Sequence, residues 1–485
     1  MHKRFIYILL ICGILTSCGK PDTYQLIDHR ADVYPRYEGT VIPYNIAPLN
    51  FAIHEAGSKF LVRFTAGADS FDLRCSKNVD IPLRKWKKLL EAHRGEELTI
   101  GIFAWSGEGW IKHPDIYFHI ADEAIDPYLA YRLIEPGYVS WGKMGIYQRC
   151  LENFAESPVI ENDLLDDGCV NCHSFNNNDP GTMLFHIRKF NAGTLILKDG
   201  EVSRIDTKTE ELLSAGVYPR WHPGGRYIAF SVNTTRQNFH TQNMNKIEVY
   251  DMASDVVIFD TETNSIFTIP ELSSETSFET FPEWSPDGDY LYYCSAEARP
   301  MPMEYDSLRY ELLRIPFDAT TGRLGNLPDT LVSARQTHKS VALARVSPDN
   351  RFVVFCLSDY GTFPIWHREN DLYRLDLADG SISNLEEANS PESDSYHSWS
   401  SNGRWLVFGS RRMDGAYTRP YICYFDTEGR ASKPFLLPQK NPEFYDFCYK
   451  SFNIPEFITG KIDVSPYQWS RAARQPIIPA TFQSR

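Results

Sequence analysis

The run Phe281-Pro282-Glu283-Trp284-Ser285-Pro286-Asp287-Gly288-Asp289-Tyr290-Leu291-Tyr292-Tyr293 decides the fold. Pro286 presets φ for a turn, Asp287 starts it, and Gly288 accepts the positive φ that closes it. An apolar strand pattern follows, so the segment predicts a β-hairpin. The same plan recurs at Tyr218-Pro219-Arg220-Trp221-His222-Pro223-Gly224-Gly225-Arg226-Tyr227, at Ala344-Arg345-Val346-Ser347-Pro348-Asp349-Asn350-Arg351-Phe352 and at Tyr396-His397-Ser398-Trp399-Ser400-Ser401-Asn402-Gly403-Arg404-Trp405. Counted from Trp221 to Trp284, Val346 and Trp399, the units lie 63, 62 and 53 residues apart. Each continues into a second strand pair. One is Ile247-Glu248-Val249-Tyr250 with Val256-Val257-Ile258-Phe259, and the strand Asp371-Leu372-Tyr373-Arg374-Leu375-Asp376 belongs to another. Four strands per repeat make a propeller blade.

The Trp-Ser-Pro-Asp-Gly mark resembles the TolB-like, or WD40-like, β-propeller repeat. Residues 284–288 match it fully, and the other copies are degenerate. The resemblance covers about residues 184–470 and implies a TolB-like β-propeller. Thr194-Leu195-Ile196-Leu197 and Val202-Ser203-Arg204-Ile205, around Asp199-Gly200, add a blade without the mark. Six blades are expected. The insertions 234–246 and 298–308 carry Met244, Met301 and Met303 on one face. Loop methionines are gap filler in the ordinary case and thioether ligands of a metal in the special one.

Upstream, residues 42–122 are rich in strand signals. Phe60-Leu61-Val62-Arg63-Phe64, residues 98–105 and Ile116-Tyr117-Phe118-His119-Ile120 read as strands, and residues 83–93 as one helix. A small β-sandwich-like domain is expected, so the fold class is mainly β: this domain followed by the propeller. Trp105 and Trp110 are packing residues or a sugar platform. Residues 123–183 read as a connector, with helical spacing over 143–155. Residues 471–485 read as a tail.

The connector carries Cys169-Val170-Asn171-Cys172-His173, expected on a loop or short helix. In a C-x-x-C-H motif two thiols can add to the vinyl groups of one haem and the imidazole can ligate the iron. On that reading Cys169 and Cys172 hold haem c, His173 is the proximal ligand, and Met183 or His186 is the sixth. Two other readings stay open. Cys169 and Cys172 form a disulfide or remain a free dithiol, or Cys169, Cys172, His173 and His186 hold Zn. Scattered histidines and carboxylates elsewhere offer no spaced metal or acid–base pair that stands out.

Residues 1–17 have the form of a secretory signal: basic His2, Lys3 and Arg4, then an apolar run too short to span a bilayer. Leu15-Thr16-Ser17-Cys18 resembles the lipobox of bacterial lipoproteins, which implies that Cys18 is lipidated and that residues 18–41 are a tether. Gly19 follows, rather than the Asp that retains lipoproteins in the inner membrane. An outer-membrane lipoprotein is therefore implied, facing the periplasm or the surface. The whole arrangement also resembles a group of Bacteroidetes lipoproteins with a β-domain, C-x-N-C-H-S-F and a TolB-like propeller, often labelled cytochrome c-related.

A net charge of −14 and a pI near 5.5 argue against a nucleic-acid partner. No G-x-S-x-G elbow is present and no length remains for an α/β-hydrolase domain. Two functions are left: electron transfer or redox sensing through haem c with a redox partner, or a scaffold binding a glycan, a peptide or an envelope protein. In both, the chain meets the membrane through its N-terminal lipid.

Overall fold

A computed structural model describes residue 21 and residues 23–135, 142–241 and 245–484. Cys18, the signal segment and Met244 lie outside these. Six sheets of four or more strands, antiparallel apart from two C-terminal edge strands, form the propeller. The first strands of the blades are Cys169–Asn176, Val217–Trp221, Ser277–Trp284, Ser340–Val346, Asp394–Trp399 and Ser451–Ile458. Each touches the next and the last touches the first, so the ring closes and these strands line its axis.

The Trp-Ser-Pro-Asp-Gly chemistry explains both the hairpins and the packing between blades. In blade 3 the Ser285 hydroxyl donates to Asp287 at 2.5 Å and accepts from Tyr290 N at 3.0 Å, while Gly288 sits at φ 82°. Blades 4 and 5 repeat the device with Ser347–Asp349 and Ser400–Asn402. In blade 2, His222 stands in for the serine: its Nδ1 accepts from Gly224 N and its other ring nitrogen lies 3.1 Å from the Gly288 carbonyl. The tryptophans bind blade to blade. Trp284 Nε1 donates to the Arg220 carbonyl of the preceding blade, and Trp399 Nε1 to that of Arg345, both at 3.1 Å. Both rings are buried, and cutting a buried tryptophan to alanine costs about 3–5 kcal/mol.

Several expectations are corrected. The propeller begins well before residue 184. Blade 6 combines Ser451–Ile458 with Tyr128–Ile134, Gly145–Cys150 and Glu156–Glu161, so residues 123–183 are not a connector. The helical spacing over 143–155 gives way to the strand Gly145–Cys150, which pairs on both edges and is buried at every residue but Tyr147. The C-x-x-C-H motif lies on the inner strand of blade 1, not on a loop or helix. The two stretches read as a strand pair at 247–259 form one 14-residue strand, Ile247–Asp260, in a long hairpin with Tyr227–Phe239.

The N-terminal domain has a seven-stranded and a three-stranded sheet with the helix Leu83–Ala92. Trp86, Leu89 and Leu90 are buried on one side of that helix, as expected. Residues expected to be tether are stitched into this domain, through Gln25–Leu26 beside Ile111 and Lys112 and Val33–Tyr34 beside Ala52 and Ile53. One hydrophobic core runs from this domain into blades 3 to 6. Asp126 accepts from the Ser401 hydroxyl and amide, and Ala124 O from Trp405 Nε1, so the last turn of the domain is fixed to blade 5. The C-terminal residues are not a free tail. Ile478–Pro479 and Thr481–Phe482 add fifth strands to blades 1 and 2.

Candidate functional site

Each blade's first strand carries a bulge at the same place, where one residue takes a left-handed φ. The six are Cys172, Tyr218, Phe281, Leu343, Tyr396 and Ile454, with φ between 49° and 54°. All six line the waist of the channel, where the remaining cavity is about 20 Å³. The waist separates two mouths, of about 640 and 410 Å³.

The C-x-x-C-H residues are divided by this geometry. Cys172 lines the larger mouth and the waist, whereas His173 lines only the waist. Cys169 pairs with Arg188 at the start of the strand, and burial pushes its thiol pKa up. Both cysteines are free thiols. Burial drives the His173 pKa down to about 4, with Glu456 Oε2 at 3.8 Å opposing the shift. The ring is therefore neutral at physiological pH. Met183 and His186 lie on opposite faces of the next strand. Met183 is in the blade core with Phe185 and Ile187, while His186 lines the larger mouth. His186 Nδ1 lies 3.1 Å from the Thr194 hydroxyl, and burial holds its pKa near 3. Of the loop methionines, Met301 packs on the core and Met303 is exposed.

A haem does not fit this arrangement. Pockets that hold small molecules and cofactors measure about 300–1,000 Å³, but His173 faces about 20 Å³. The mouth large enough for a porphyrin is lined by Cys172 and by neither Cys169 nor His173. Among the described residues, Cys169, Cys172, His173 and His186 do not converge as a donor set. The group whose ligand atoms lie within 4.8 Å of one another is His29, Glu55 and His113.

Two features escape a sequence reading. The smaller mouth holds a ring of alternating charge: Arg220 pairs with Glu456 at 2.7 Å and with Glu283 at 3.2 Å, and Arg345 pairs with Glu283 at 3.1 Å. Arg220, Glu283 and Arg345 each directly precede the signature aromatic or its replacement, so aligning the repeats one position earlier would have found three of the four; Glu456 lies in a strand without the signature. The larger mouth is basic. Arg132, Arg188, Lys189 and Lys208 line it beside Asn171, Asn233, Gln237, Asn453 and Tyr396, with Asp206 as its carboxylate. Arg132 forms the mouth's inner wall and is only 8% exposed. It donates to Asn171 Oδ1 and, at 3.4 Å, to the Val170 carbonyl, and its Nε has no partner. No carboxylate among the described residues forms an ion pair with it.

No family model and no curated protein matches the chain. Solved structures do. An oligogalacturonate lyase from Vibrio parahaemolyticus aligns at 12% identity and TM-score 0.35, over 62% of this chain and 92% of that one. The tricorn protease aligns at 12% and 0.33, over 71% and 34%. Prolyl oligopeptidase B from Galerina marginata aligns at 10% and 0.35, over 70% and 42%.

Proposed function

We propose that this chain is a binding module of the cell envelope that captures an anionic glycan in the basic mouth of its propeller. The observation that carries the reading is Arg132. A guanidinium stays charged at every physiological pH, and a buried charge without a counter-ion costs several kcal/mol. A carboxylate or sulfate entering the mouth supplies that counter-ion. Arg188 and Lys208 extend the same field toward solvent, and the amides of Asn171, Asn233 and Gln237 match sugar hydroxyls. Tyr218 and Tyr396 offer aromatic faces at the base. Electron transfer through haem c draws on the C-x-x-C-H motif alone.

Calorimetry with uronic-acid oligosaccharides and with neutral oligosaccharides of equal length tests the reading. The acidic series should bind, more weakly as salt rises, and Arg188→Ala should reduce the affinity. Equal binding of the neutral series, or none of either, would overturn it.

A further inference from the structure

Away from the propeller, three side chains from distant parts of the sequence meet in the N-terminal domain. His29 follows the strand Gln25–Leu26, Glu55 follows Phe51–Ile53, and His113 follows Trp110–Lys112. One ligand atom from each lies within 4.8 Å of the other two. His113 is fully buried, and its Nδ1 lies 3.2 Å from the His29 carbonyl. A carbonyl can only accept, so in the neutral imidazole the proton is on Nδ1 and Nε2 presents its lone pair. That Nε2 is buried and has no partner, which costs about 1–3 kcal/mol if nothing answers it. His29 Nε2 lies 3.2 Å from both Glu55 oxygens, and the two imidazole rings stand 4.9 Å apart at 88°. The Asp32 amide donates to Glu55 Oε1 at 2.7 Å and holds the carboxylate in place.

Histidines that bind metals are oriented in this way, with the far nitrogen donating to a carbonyl and the carboxylate braced by a second donor. We propose that His29, Glu55 and His113 bind one divalent transition-metal ion. Two imidazoles and a carboxylate suit Zn²⁺, with a fourth position left for water. The His29 side chain is 63% exposed, so an ion has a path in. Once bound, the ion ties the segment between Gln25–Leu26 and Val33–Tyr34 to both sheets of the domain. The site is separate from the basic mouth and does not depend on what that mouth binds.

The test uses the full chain, stripped with a chelator and titrated with ZnCl₂ against a chromophoric competitor. One equivalent should bind, and the melting temperature should rise with it. His29→Ala changes an exposed side chain and should leave the metal-free melt unchanged while lowering Zn²⁺ affinity at least roughly tenfold. Glu55→Gln should likewise lower Zn²⁺ affinity. Substituted Co²⁺ should show ligand-field bands without thiolate charge transfer, which separates this site from the cysteines of blade 1. Failure to bind, wild-type affinity in both variants, or a thiolate band would each overturn the proposal.

Discussion

Cys172 and Tyr396 make the same left-handed backbone step, at φ 52° and 51°, and each is followed by a histidine sealed from water. The second of these, His397, places Nε2 2.8 Å from the Val354 carbonyl, and burial pulls its pKa to about 4, as it does for His173. Blade 5 has no cysteine at this step. The conformation of Cys172-His173 is therefore the one the propeller uses at every inner-strand bulge, with or without thiols.

Protein made in a host that matures c-type cytochromes should accordingly be colourless after acid–acetone extraction. A Soret band that survives extraction, and disappears in Cys169→Ala with Cys172→Ala, would mean that blade 1 opens to admit a porphyrin.

Arg132→Met removes the buried cation while keeping most of its apolar stem. Affinity for acidic oligosaccharides should fall at least roughly tenfold, because a charge-assisted contact is lost. Stability in urea should hold or rise, since apolar replacement of a poorly paired buried charge is often neutral or favourable. A clear loss of stability with unchanged affinity would make Arg132 a structural strut instead.

The alternating ring behaves in the opposite sense. Arg220 answers both Glu283 and Glu456, so Arg220→Met strands the buried Glu456, leaves Glu283 with Arg345 alone, and should cost about 3–5 kcal/mol. Adding Glu456→Met should restore part of that loss. Urea unfolding of the single and double variants measures the coupling.

His367 supplies a pH signature. Burial opposes its charge, but hydrogen bonds to Glu248 at 3.0 Å and Glu369 at 3.2 Å prevail and hold its pKa up at about 9. Because the folded value lies above the unfolded one of about 6.5, the stabilisation is complete below pH 6.5. It is lost as pH rises through 9. His367→Gln should flatten that part of the stability profile, read as the difference between the two proteins' urea midpoints from pH 6 to 10.

Cys18 is tested by fractionation. Cys18→Ser should shift the protein from membranes to the soluble periplasm, because several acyl chains anchor stably and none does not. Retention of the variant in membranes would reject the lipobox reading.

The blades were legible where turn chemistry is local. Ser285, Asp287 and Gly288 bond within their own hairpin, so the sequence carries their geometry directly. Blade 6 was not, because Leu129 pairs with Phe457 and Arg132 with Asn453, contacts that no local pattern encodes. The apolar period over 143–155 is compatible with either helix or strand, and pairing decided it. His29, Glu55 and His113 likewise gave no spacing signal, since three separate strands bring them together. The basic mouth was hidden by a net charge of −14, which averages over the surface and says nothing of one concavity.

Closing blade 6 with strands from both ends of the propeller has a consequence for synthesis. Tyr128–Ile134 leaves the ribosome with one edge unpaired, and its partner Ser451–Ile458 does not yet exist. Translation proceeds at about 5–20 residues per second, so that edge waits for roughly tens of seconds. During this interval the nascent chain exposes a strand ready to pair with any neighbour.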